Sequence, residues 1–149
     1  MPTRADIVSE ARSWLGTPWG HGQGVKGVMV DCAHFIDGVN VNAGAIDEPK
    51  LVEPYKRVED GTTMLRLLNE HMDLVPSIDG ALPADVIALI DERLANPNVP
   101  RHLAIMTERR SDGVVKIIHA SEHGVREHRM DGRWIARIHS IWRIRELDG

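Results

Sequence analysis

Apolar positions near the start of the chain recur at helical spacing: Ile7, Val8, Ala11, Trp14 and Leu15. Thr3 stands ahead of them as an N-cap, and Asp6, three residues on, completes a capping-box pattern. Gly16 follows as the residue that closes such a helix. The next stretch, TPWGHGQGVKG, has neither a helical nor a strand period and reads as a glycine-rich loop. Asp31 can cap a second helix over 32–43, with Phe35, Ile36 and Val39 on one side. Residues 44–61 read as a loop broken by Pro49 and Pro54. Thr62 or Thr63 then opens a third helix carrying Leu65, Leu68 and Met72.

Beyond this point the pattern changes to short runs rich in β-branched residues. ADVIALI (84–90) fits a buried strand. HLAIMTE (102–108) and GVVKIIHAS (113–121) read as antiparallel neighbours joined through Ser111, Asp112 and Gly113. GVREHRM (124–130) follows as another strand. Asp131 and Gly132 turn the chain into a brief helix with Trp134 and Ile138, and IHSIWRIREL (138–147) closes as a final strand. Helices come first and an antiparallel sheet second, which is the α+β class. No repeat or linker divides the sequence, so residues 1–149 are expected to form one domain.

Composition narrows the function. The chain is 42% hydrophobic and 27% charged, with a formal net charge of −4. No basic face marks a nucleic-acid binder. No apolar run reaches the roughly 20 residues of a membrane span. The start, MPTRADIVSEARSWLG, holds no apolar core of a signal peptide, so synthesis in the cytoplasm is expected. A single cysteine, Cys32, excludes an internal disulfide, and it is accompanied by eight histidines.

Cysteine and histidine chemistry is therefore the first candidate. Cys32 sits at an expected helix start, where the helix dipole and free N–H groups would lower its pKa and supply an oxyanion donor. The plainer reading is a core cysteine of an amphipathic helix. A nucleophilic cysteine needs a base and a residue to orient it. His102 opens one strand and His119 lies in the next, so a hairpin would bring them together; alternatively they are unrelated strand residues. His119, His123 and His128 could also be drawn with Cys32 as zinc ligands. Their spacing matches no standard zinc pattern, and neither CxxC nor HExxH occurs, so no metal is expected. GHGQGVKG lacks the Lys-Ser/Thr ending of a phosphate-binding loop.

The segment LGTPWGHGQGVKGVMVDCAHFIDGV resembles the N-terminal block of NlpC/P60 cell-wall peptidases. That block runs Leu-Gly-Thr-Pro-Tyr, a glycine-rich loop, then Asp-Cys-Ser/Ala and a helix. The phage-tail and gene-transfer-agent branch is the nearest in pattern, with His21, Lys26, Gly27, Asp31 and Cys32 in its register. LPADVIALI is similar to the family's Pro-Gly-Asp-Val strand, RHLAIM to its His-Val/Leu-Gly-Ile strand, and KIIHAS to its Ile-His-Ala segment. Four blocks in one order cover most of the chain.

The resemblance implies a papain-like α+β fold, N-terminal helices on an antiparallel sheet, and a Cys-His-His triad without metal or other cofactor. Cys32 would be the nucleophile, His102 the base and His119 the orienting residue. Trp19, His21 and Asp31 would lie on the substrate side. The implied substrate is a peptidoglycan stem peptide, cut between D-γ-glutamyl and a diamino acid, and the implied partners are phage-like tail-tip proteins. Trp19 replaces the family's Tyr and loses its hydroxyl. Ala33 replaces Ser, while Ala84 and Ala104 replace glycines. A silent structural tail-tip module, or an amidase or acyltransferase on the same fold, are the rival expectations.

Overall fold

The computed structural model describes residues 1–52, 62–93 and 98–147. The first helix, α1, spans Arg4–Arg12. Its capping box is complete: Thr3 Oγ1 accepts the Asp6 N–H at 3.0 Å and Asp6 Oδ2 accepts the Thr3 N–H at 2.9 Å. The helix stops earlier than its apolar spacing predicts. The Ser13 hydroxyl donates back to the Glu10 carbonyl, a local bond that competes with helix continuation. Gly16 turns at φ +84°, so Leu15 is exposed while Trp14 is buried.

Trp14 meets Phe35 edge to face at 5.7 Å and so fastens α1 to α2, which spans Cys32–Asn42. The approach is close enough that a Cβ on Gly38 would lie 2.7 Å from the Trp14 ring. Between them, the glycine-rich segment is not featureless as expected. It folds as a small antiparallel hairpin, β1 (Gly24–Val25) with β2 (Met29–Val30).

Helix α3 spans Thr62–His71 and buries Met64, Leu67 and Leu68. Leu65 is only partly buried, and Met72 begins a strand that the sequence reading did not anticipate, β3 (Met72–Val75). This edge strand pairs only with the last strand, so its identity depends on residues some 70 positions away. The strands β4 (Val86–Leu89), β5 (His102–Arg109), β6 (Val115–Ser121), β7 (Gly124–Arg129) and β8 (Ile138–Ile144) match the expected runs, and α4 (Gly132–Ala136) is the short helix before β8. The six-stranded sheet has the order β3-β8-β4-β5-β6-β7, antiparallel throughout. The α+β class is thus what the structure has. The expected loop over 44–61 runs into residues outside the described segments.

Both faces of the sheet are covered. Val86, Ala88, Leu103, Ile105 and Ile118 pack against α1, α2 and α3. The alternate residues Ile87, Leu89, Ala104, Met106 and Ile117 form a second cluster with Ile141, joined by Trp134 and Ile138. Burial on both faces explains why these strands read as continuous apolar runs. Each buried Val, Leu, Ile or Met side chain among them contributes roughly 1.5–3 kcal/mol.

The Pro-Ala-Asp-Val block has a structural task. Asp85 is fully buried, and its carboxylate meets Arg143 at 2.8 Å and Arg4 at 3.0 Å, tying α1 to β8. Ala84, just before it, has φ +81°, the left-handed region where the resembling family places glycine. Among the described residues no helix is long and apolar enough to cross a membrane.

Candidate active site

Register builds the site. Residues Ile105 and Met106 of β5 face Ile118 and Ile117 of β6, so continuing the ladder sets Ala104 opposite His119. His102 is then His119's diagonal neighbour on the same sheet face. Nε2 of His102 and Nδ1 of His119 are hydrogen-bonded at 2.7 Å, with the rings edge to face. The β6–β7 ladder repeats the step. Ile117 pairs with His128, so His128 is again one diagonal away, and its Nε2 lies 2.9 Å from Nε2 of His119. Three imidazoles therefore cross three strands in a line, ending at a hydrogen bond between His128 Nδ1 and the Arg129 carbonyl at 2.8 Å. Trp134 packs against the His119 and His128 rings.

Burial pushes the His102 pKa down to about 4. Burial, with the neighbouring His102 and His128, takes His119 down to about 3. Both rings are neutral near pH 7. They line a cleft of about 750 Å³ together with Trp19, Arg93, Arg126 and Arg137.

Cys32 is the first residue of α2, capped by Asp31. The expected drop in its pKa is reversed. Burial is the largest influence and the Asp31 carboxylate the next, and together they push the thiol up to about 12. The backbone amides of Leu103, Ala33 and Cys32 act in the opposite direction and lose. The helix start is outweighed first by the burial of the sulfur and then by the capping Asp31 carboxylate beside it.

The Leu103 amide is the link between the two halves of the candidate triad. Leu103 packs toward the helices with Cys32, whereas His102 shares the alternation of Ala104 on the other face. What links them is the start of β5, where the Leu103 amide next to His102 meets the sulfur. Among the described residues no hydrogen bond joins the sulfur to the His102 ring, and Cys32 is partly exposed but not part of the cleft lining.

The expected substrate-side residues separate. Trp19 is 45% exposed on the cleft wall, held by a bridge to Val30. Asp31 is occupied structurally: Oδ1 accepts the His34 amide and faces the His34 ring, and Oδ2 accepts the Gly22 amide at 2.8 Å. Burial alone would raise its pKa, but these hydrogen bonds outweigh it and hold the carboxylate below its usual range. His21 is exposed and does not line the cleft.

The rival zinc set is not assembled. Among the described residues no group of three His, Cys, Asp or Glu side chains could hold an ion. Instead His119 and His128 bond each other directly, and His123 lies exposed at the β6–β7 turn. The place of His128 beside His119 escaped the sequence reading. The signal was the Ser121–Gly124 turn, which fixes the register that makes them diagonal neighbours.

No protein-family model and no curated protein sequence matches the chain. Solved structures do. NlpC2 from Trichomonas vaginalis superimposes with a TM-score of 0.66 at 15% identity, over 95% of this chain and 47% of that one. An NLP/P60-family protein from Staphylococcus aureus, described as similar to a lipoprotein, gives 0.65 at 17% identity over 99% of this chain and 44% of its own. The fold is the NlpC/P60 fold. The NlpC/P60 domain of the peptidoglycan hydrolase SagA agrees, with a TM-score of 0.60 at 19% identity over 95% of this chain and 99% of that domain. This chain thus spans less than half the length of the first two, and about the whole of the isolated NlpC/P60 domain.

Proposed function

We propose that this chain is a cysteine peptidase that hydrolyses peptidoglycan stem peptides, with Cys32 as nucleophile, His102 as base and His119 orienting it. The observation that carries the reading is the His102–His119 hydrogen bond, on the residue next to Leu103, whose amide faces the Cys32 sulfur. The NlpC/P60 fold supports it.

The resting pair is a neutral thiol and a neutral imidazole, not a thiolate–imidazolium pair. Proton transfer therefore accompanies attack. His102 takes the thiol proton as the sulfur bonds to the amide carbon, and the Cys32 amide with a donor from the 17–23 loop holds the oxyanion. His102 returns the proton to the leaving amine as the C–N bond breaks. Water then hydrolyses the thioester to a carboxylic acid and restores the thiol. Contacts of this kind tighten once substrate is bound.

The bond proposed is D-γ-glutamyl to a diamino acid, and the proposed setting is a phage-like tail tip that opens the wall locally. The setting rests on the residues shared with the phage-tail branch. In the test, purified peptidoglycan is digested and the fragments are weighed by mass spectrometry. Wild type should free internal amines and Cys32→Ala should free none; equal release by both would sink the assignment. Cleavage at the lactyl amide would identify an amidase instead.

A second reading is a catalytically weak or silent structural module of the same fold. The missing sulfur–imidazole hydrogen bond and the raised thiol favour it. Intact peptidoglycan after prolonged digestion with wild type would decide for it.

A further inference from the structure

We infer that His128 is a positioning residue that sets the tautomer of the His102 base through His119. The inference rests on the proposed role of His102, but its geometry does not. The line of rings begins at a group that can only accept: the Arg129 carbonyl, 2.8 Å from His128 Nδ1. That nitrogen must carry the proton. A singly protonated His128 then has a bare Nε2, which accepts from Nε2–H of His119 across 2.9 Å. His119 is left with a bare Nδ1, which accepts from Nε2–H of His102 across 2.7 Å. The last ring is left with Nδ1 as its only free lone pair, the atom that would take the Cys32 proton. One backbone carbonyl thus selects the tautomers of three side chains in series.

The reverse polarity with one proton on each ring is unfavourable. It would set a bare Nδ1 of His128 against the Arg129 carbonyl, two acceptors at hydrogen-bond distance. Register makes the line reproducible, since both steps are diagonal pairs on one sheet face. Trp134 covers the second link, with its ring 5.2 Å from His119 and 4.7 Å from His128 between centroids. The wrong tautomer of a catalytic imidazole is costly, on the order of 10⁴ in rate where it has been imposed on a serine protease triad.

The experiment is nitrogen-15 NMR of the full chain with labelled histidine near neutral pH. The expected pattern is Nε2–H on His102, Nε2–H on His119 and Nδ1–H on His128. His119 protonated at Nδ1, or His128 protonated on both nitrogens with Nδ1–H on His102, would overturn the inference. His128→Phe should mix the His119 tautomers and lower kcat about tenfold with KM unchanged. His128→Gln places an oxygen where Nε2 stood and should recover most of that loss. Equal behaviour of the Phe and Gln variants would count against it. Wild-type NMR is decisive even if a variant fails to fold. An inactive wild type would remove the hydrolase reading and leave the tautomers to be judged by the nitrogen shifts.

Discussion

His119 lies diagonally across from His102, two residues out of register, and their ring nitrogens meet at 2.7 Å. The bond needs an acceptor at the position of His119 Nδ1. Asn carries an oxygen at that position and Ala carries nothing. His119→Ala is expected to lower kcat on peptidoglycan about a hundredfold, and His119→Asn by about tenfold, because an unfixed base still transfers protons part of the time. Release of free amines, compared at equal folded fraction, measures both. Similar losses in the two variants would mean that the ring serves packing.

Cys32 is expected to stay a thiol well above the ordinary value of 9.0, since burial and the Asp31 carboxylate hold its pKa at about 12. It is the chain's single cysteine, so the pH dependence of its alkylation by a thiol-specific reagent reports it alone. Titration should show no step near 9.0 in the folded protein and a step there in denaturant. Asp31→Asn removes the neighbouring charge and should shift the folded step down. A thiolate already present at neutral pH would contradict the neutral resting pair.

Acid should weaken the fold before its carboxylates titrate. His102 and His119 have folded pKa values of about 4 and about 3, below the ordinary 6.5. The unfolded chain binds these protons first, so stability is whole above about 6.5 and falls as pH drops toward those values. Each buried ring costs on the order of 2 kcal/mol near pH 4.5. His34 has the opposite sign. Its hydrogen bond to Asp31 raises its pKa, so its contribution is lost as pH rises through the raised value. Denaturant midpoints should therefore be highest near neutrality. His119→Asn should flatten the acid limb, and an unchanged limb would show that other groups control it.

Ala84 adopts φ +81° while almost fully buried. The left-handed conformation costs an L residue roughly 1–2 kcal/mol, which glycine avoids. Glycine gives up a buried methyl and gains unfolded-state freedom in return. These terms nearly cancel, so Ala84→Gly should change unfolding free energy by less than about 1 kcal/mol. Ala84→Val, with its branched side chain at positive φ, should lose more than about 2 kcal/mol. A large loss in the glycine variant would show that the backbone there is not strained.

Local chemistry made much of this protein legible in its sequence. The capping box at Thr3, the Asp31 cap and the two-sided apolar runs of β4, β5 and β6 are short-range patterns, so α+β order and strand positions followed from them. Edge strand β3 was not legible, because four residues with a half-polar pattern become a strand only when β8 supplies their partners. Nor was the hairpin in the glycine-rich loop, which is held by the Gly22 amide on Asp31 and by the bridge from Trp19 to Val30.

In the candidate site, the sequence determined which residues could do the chemistry: one thiol at a helix start and imidazoles on neighbouring strands. Tertiary structure decided their state. It reversed the expected sense of the Cys32 pKa, because burial and an adjacent carboxylate depend on what packs around a sulfur. It also chose His128 over His123 as the third ring, because a diagonal contact depends on register across two strands. Residue identity is written locally, whereas solvation and register are properties of the assembled sheet.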